Sequence, residues 1–146
     1  MPFTKILIAV DDSGESMKAA RCGFELAHSL KASVAVLYVI DKGKEVVSAD
    51  LGITSEDSQS ALREGAKNTI EQYIKMYDGI DQVFRFTPEG DPEKEIINIA
   101  TEWRADLIVM GAHARSGLDR MMTWSVAEQI LRHAEIPVLI APPKMK

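Results

Sequence analysis

Five short runs rich in Ile, Leu, Val and Ala, kept apart by stretches with helical spacing, constrain this chain more than any other feature. The runs are Lys5–Val10, Ser33–Ile40, Gln82–Phe86, Asp106–Met110 and Pro137–Ala141. Runs one, two, four and five are nearly continuous in apolar residues, the pattern of strands covered on both faces. The third, Gln82-Val83-Phe84-Arg85-Phe86, mixes polar and apolar residues and suits a sheet edge. Between the runs, four stripes recur at helical spacing. They are Met17, Ala20, Phe24 and Ala27; then Leu62, Ala66, Ile70, Tyr73 and Tyr77; then Ile96, Ile99, Ala100 and Trp103; then Val126, Ile130, Leu131 and Ala134. Start signals agree. Gly90-Asp91-Pro92 places an N-cap aspartate before a proline at the first helical position, and Ser125-Val126-Ala127-Glu128 reads as a capping box with Ser125 as the cap. The alternation predicts an α/β fold: one open, doubly wound parallel five-stranded sheet with helices on both faces, in a single domain over residues 1–146.

Composition removes several function classes. A chain of 146 residues can bury roughly 70% of the surface that it exposes when unfolded. Its formal net charge of −5 gives no field for nonspecific nucleic-acid or membrane binding. No apolar run approaches the ~20 residues of a membrane span. The opening MPFTKILIAV reads as a strand, not a signal peptide, so a cytoplasmic protein is expected. The single Cys22 excludes an internal disulfide, and His113 has no second ligand at metal spacing, so no metal site is expected. His28 and His133 fall in helical segments, where packing or solvation explains them, and Trp103 falls on an apolar stripe and is expected in the core.

The stretch from Asp106 to Ala134 carries the chemistry. An apolar strand breaks at Gly111, and a basic loop with His113, Arg115, Ser116, Gly117 and Arg120 leads into a helix that begins at Ser125. A strand, a glycine-bearing loop and a helix N-terminus gather main-chain N–H groups and favour an anion. The polar connection from Asp41 to about Asp57 sits at the carboxyl end of the second strand, where such sheets bind ligands.

Together these residues resemble the universal stress protein family along essentially the whole chain. Ile6-Leu7-Ile8-Ala9-Val10-Asp11 with Ser13 is similar to the family's first strand and turn, Leu37-Tyr38-Val39 to its second strand, and Gly90-Asp91-Pro92 to the turn into its third helix. Ala105 through Gly111, Arg115-Ser116-Gly117-Leu118, Ser125 through Glu128, His133-Ala134 and Pro137 through Ile140 are similar to its ending. The resemblance implies strand order 3-2-1-4-5, commonly a homodimer, and in some members ATP bound through a Gly-x2-Gly-x9-Gly-Ser/Thr pattern. On this chain the first glycine is Gly111 and the hydroxyl is Ser125, but the second glycine is replaced by Ala114 and the third by Trp124. The cofactor-binding set so implied is Ala9, Val10, Asp11, Val39, Gly111, Ala114, Arg115, Ser116, Gly117, Trp124, Ser125 and Val126. The cofactor is left open between ATP or another adenine nucleotide, with or without Mg2+, and none.

Where a glycine has φ > 0 or touches a phosphate, a Cβ costs on the order of 1–3 kcal/mol. Ala114 and Trp124 together then remove about 10- to 1,000-fold in affinity. Two readings stand for Asp11: contact with the adenosine part of a nucleotide, as the resemblance implies, or acceptance of backbone N–H bonds at the start of the first helix with Ser13. The second is preferred for Asp12. Arg115 and Arg120 either clamp phosphate or are solvated. No nucleophile elbow or triad is present, and Gly111 stands where a receiver domain would need its phosphoacceptor aspartate. No catalytic residue is assigned. The expectation is a noncatalytic stress-response or signalling module with a degenerate pocket and a protein partner. The alternative is an ATP-binding member that is at most a weak ATPase. The apolar edge around Val138–Ile140 is expected to pair with a second copy.

Overall fold

A computed structural model describes residues 3–41, 51–112 and 124–142. Nine elements alternate along it: β1 (Lys5–Val10), α1 (Gly14–Leu30), β2 (Ser33–Tyr38), α2 (Ser55–Lys75), β3 (Val83–Phe86), α3 (Pro92–Trp103), β4 (Leu107–Gly111), α4 (Trp124–His133) and β5 (Val138–Ala141). The strands form one sheet in the order β3-β2-β1-β4-β5, and every pairing is parallel. The α/β fold and the strand order are those expected from the sequence.

β1 is central, with Ile8 aligned between Val36 of β2 and Val109 of β4. Its residues alternate between two cores, and this is why an unbroken apolar run was needed. One core joins Ile6, Ile8 and Val10 to Phe24 and Ala27 of α1 and to Ile70 and Tyr73 of α2. The other joins Leu7 and Ala9 to Ile96 and Ala100 of α3 and to Ala127 and Ile130 of α4. β3 lies at one edge, as its mixed composition suggested. There Arg85 pairs with Glu71 of α2 and donates to the carbonyl of Val83 at 2.8 Å.

Several boundaries and faces differ from the sequence reading. β2 ends at Tyr38, and Ile40 instead forms an isolated bridge with Glu89. Its N–H donates to the Pro88 carbonyl at 2.7 Å and its carbonyl accepts from Gly90 at 3.0 Å, so the main chain has left the β2–β3 ladder for the turn before α3. Met17 and Leu131, expected to face inward, are 51% and 52% exposed. In α1 the inward line is Ser16, Ala19, Ala20, Gly23, Phe24 and Ala27. α1 lies so close to the sheet that a Cβ at Gly23 would come 2.6 Å from Ile8. Small residues therefore occupy the contact and Met17 is turned out. Trp103, the last residue of α3, is half-buried against the margin of the second core and not within it. Its ring meets Phe84 and Phe86 at 5.8 and 6.2 Å, with the Lys5 ammonium 5.2 Å from its centroid.

Helix starts also depart from expectation. Asp91 occupies the N-cap of α3 with Pro92 behind it, but its side chain makes no capping bond and pairs with Lys94 at 3.7 Å. A capping box that the sequence reading passed over opens α2, where Thr54 accepts from Asp57 N–H at 3.0 Å and Asp57 accepts in return from Thr54 N–H at 3.3 Å. Among the described residues, no helix is long and apolar enough to cross a membrane.

Candidate functional site

The strand order reverses at β1. After β1 the chain turns onto one face of the sheet as α1, and the helix that follows β4 lies on the other. The carboxyl ends of β1 and β4 therefore border a crevice at the topological switch point.

The β1 side is a turn built of hydroxyls and carboxylates. Asp11, half-buried, donates its N–H to Ser16 Oγ at 2.9 Å, and the Ser16 hydroxyl donates onward to Asp11 Oδ1 at 2.8 Å. The same Oδ1 accepts from the Ser13 N–H at 2.8 Å and from the Ser13 hydroxyl. Ser13 holds the N-cap position of α1, yet it makes no capping bond because its hydroxyl goes to Asp11. Of the two readings of Asp11, the bond to the start of α1 is therefore present. Asp12 does not take the N–H role expected for it. Its Oδ2 accepts from the Tyr38 hydroxyl at 2.7 Å and its Oδ1 from Thr69 of α2 at 3.3 Å. Asp11 already holds the Ser13 amide, which frees Asp12 to reach sideways.

Tyr73 of α2 completes the turn. Its hydroxyl donates to the Asp11 carbonyl at 2.8 Å and lies 3.4 Å from the Ser13 carbonyl. Burial, then the negative charge of Asp11, pushes its pKa up to about 12. Tyr38 is pushed higher still, first by burial and then by its bond to Asp12. Both phenols are protonated donors at neutral pH, as an ordinary tyrosine is, and the shift keeps them so into more alkaline solution. Tyr38, Thr69, Tyr73 and Ser16 were not foreseen as parts of the site. Apolar spacing identifies Tyr73 only as a member of a stripe, because spacing reports which face a residue is on, not what its hydroxyl meets.

The β4 side is tight. Gly111 is the last residue of β4, fully buried and without a positive φ. A Cβ there would come 2.7 Å from the Glu15 carbonyl oxygen of α1. The glycine is accounted for by this close approach of α1, without appeal to a phosphate. Ala9 and Val10, 1% and 2% exposed, lie beneath the crevice in the two cores. Val39, just after β2, and Val126 of α4 are half-buried against the second core, on the same face of the sheet. α4 starts at Trp124, one residue earlier than expected, so Ser125 is an exposed residue of its first turn and not its N-cap. Helix boundaries shift by a residue where neighbouring residues suit either position. Ala114, Arg115, Ser116 and Gly117, with His113, Arg120 and the side chain of Trp124, lie outside the described residues. Among the described residues, no three His, Cys, Asp or Glu side chains gather as metal ligands.

Comparison with known proteins follows the same outline. A model of the universal stress protein family matches residues 2–142. Universal stress protein MJ0531 of Methanocaldococcus jannaschii is 33% identical over 144 residues, covering 94% of this chain and 81% of the relative. The solved structure of MJ0577 from the same organism aligns over 100% of both chains with a TM-score of 0.78 at 26% identity. A universal stress protein of Archaeoglobus fulgidus in complex with dAMP has the same fold, with a TM-score of 0.62 at 22% identity over 96% of this chain and 98% of that one.

Proposed function

Since the chain belongs to the universal stress protein family, we propose that it is a noncatalytic, cytoplasmic stress-response module. It is a homodimer that holds an adenine nucleotide weakly in the crevice between β1 and β4, and its output is a contact with another protein. The dAMP carried by the Archaeoglobus protein supports the ligand class. Ala114 and Trp124, standing where the family's ATP pattern has glycine, support weak binding of the terminal phosphates.

One observation carries the noncatalytic reading: both acids at the crevice are occupied in holding the turn. Asp11 Oδ1 accepts three donors, and each oxygen of Asp12 accepts a hydroxyl. A general base or Mg2+ ligand drawn from Asp11 Oδ1 or from either Asp12 oxygen would disturb bonds that hold the turn, each worth about 1 kcal/mol. Support for the dimer comes from β5, the edge strand opposite β3, whose Val138, Leu139 and Ile140 are only half-buried.

Nucleotide released by acid precipitation of the purified protein, together with titration of ATP and AMP, tests the reading. The expected result is far less than one equivalent of bound ATP, no hydrolysis above the buffer rate, and tighter ATP binding by the Ala114→Gly/Trp124→Gly double variant, by about 10- to 1,000-fold. Near-stoichiometric ATP with steady release of ADP would replace it with that of a slow hydrolase.

A further inference from the structure

α2 is held to the rest of the protein by few buried side chains: Ser58, Ala66, Ile70 and Tyr73. Two of its hydroxyls nevertheless reach the residues that follow β1. Tyr73 binds the Asp11 carbonyl at 2.8 Å, with the Ser13 carbonyl 3.4 Å away, and Thr69 binds Asp12 at 3.3 Å. Tyr73 is only 7% exposed, and the Asp11 carbonyl lies just beyond the end of the β1 ladder. Without the phenol that carbonyl loses its donor from α2. On the other side of the same residue, the Asp11 N–H and carboxylate are tied to Ser13 and Ser16. The turn that forms one wall of the crevice is thus pinned from inside by α1 and from outside by α2.

We infer that Tyr73 is a positioning residue of the crevice, its hydroxyl holding the β1–α1 turn from α2 so that the seating of α2 and the occupancy of the crevice are energetically linked. The link to occupancy rests on the nucleotide reading above; the pinning of the turn does not. Linkage is reciprocal: if a seated α2 favours the ligand, the ligand must favour a seated α2 by the same factor. Loss of one hydrogen bond corresponds to a change of about three- to tenfold in an equilibrium constant. That is the size expected for the effect on affinity.

The experiment combines AMP titration with backbone amide hydrogen exchange on wild type, Tyr73→Phe and Thr69→Val, at a temperature where all three are folded. Tyr73→Phe is expected to weaken AMP binding about three- to tenfold and to speed exchange at the amides of residues 11–16 in the ligand-free protein. In wild type, AMP is expected to slow exchange within α2, and in Tyr73→Phe this response is expected to be lost. Thr69→Val, a milder change on the exposed side of the same contact, is expected to move both readouts in the same direction by less. A Tyr73→Phe protein with wild-type AMP affinity overturns the inference, because a merely structural tyrosine would lower stability and leave affinity alone. Unchanged exchange at residues 11–16 overturns it whether or not AMP binds. If wild type binds no AMP, the nucleotide reading fails, and the ligand-free exchange still decides whether Tyr73 pins the turn.

Discussion

Single atoms decide much of the crevice, and Gly111 is the clearest case. Its α-hydrogen faces the carbonyl oxygen of Glu15, and an added methyl would sit 2.7 Å from that backbone atom, which has no flexible side chain to yield. Gly111→Ala is expected to lower unfolding free energy by about 1–3 kcal/mol, measured by urea denaturation, through forced separation of β4 and α1. A loss below a few tenths would mean that the two elements part freely. The sequence had already marked Gly111, but as part of a phosphate motif; the pressure of α1 on it is a tertiary fact that no local pattern carries. The same holds for Asp12. Its position after the first strand was legible, whereas the hydroxyls that claim it come from Tyr38 and from Thr69, far apart in the chain.

Elements were more legible than contacts, because their signals are local. All five strands fall within a residue or two of the apolar runs, and each helical stripe marks its helix, although Tyr77 and Ala134 lie just past the ends of α2 and α4, Met17 and Leu131 face solvent, and Trp103 is half-buried. What spacing could not show is how an element is fastened at its ends. β1 and β4 are clasped at their amino ends by Asp106, whose Oδ2 accepts from Thr4 N–H and Thr4 Oγ at 2.7 Å each and from Lys5 N–H at 2.9 Å. These bonds, the Thr4 hydroxyl first, hold its carboxyl below the usual range. A carboxyl with a lowered folded-state pKa stabilises the fold above its unfolded value, about 3.9, and that contribution is lost as pH falls through the folded value. The stability gap between wild type and Asp106→Asn is therefore expected to be constant near neutrality and to shrink as pH drops below about 4. Urea denaturation at a series of pH values checks this; a gap that stays constant down to pH 2 contradicts it. α2 presents the same lesson in its length. Its 21 residues make a helix of about 31 Å, against about 20 Å for the longest strands. Thr69, in the second half of the helix, meets Asp12 just beyond the end of β1.

For the whole molecule, the fold class and family were readable because order and spacing of weak fragments add up over the entire chain. Assembly was readable only as a vulnerability: an apolar last strand that needs a neighbour. Leu139, half-buried at the middle of β5, is the residue to charge. Leu139→Asp is expected to convert the proposed homodimer to monomer or aggregate in sedimentation velocity, and a surviving dimer would place the interface elsewhere. The direction of the strands adds a geometric consequence. All five run the same way, and a parallel ladder bonds its two members unequally, so two copies related by a twofold axis cannot join their β5 edges in parallel. In the proposed dimer the two β5 edges would therefore run antiparallel, and the two crevices would open at opposite poles of the pair. A docking protein that touches one mouth leaves the other bare, and an assembly of this kind would bridge two clients instead of clamping one.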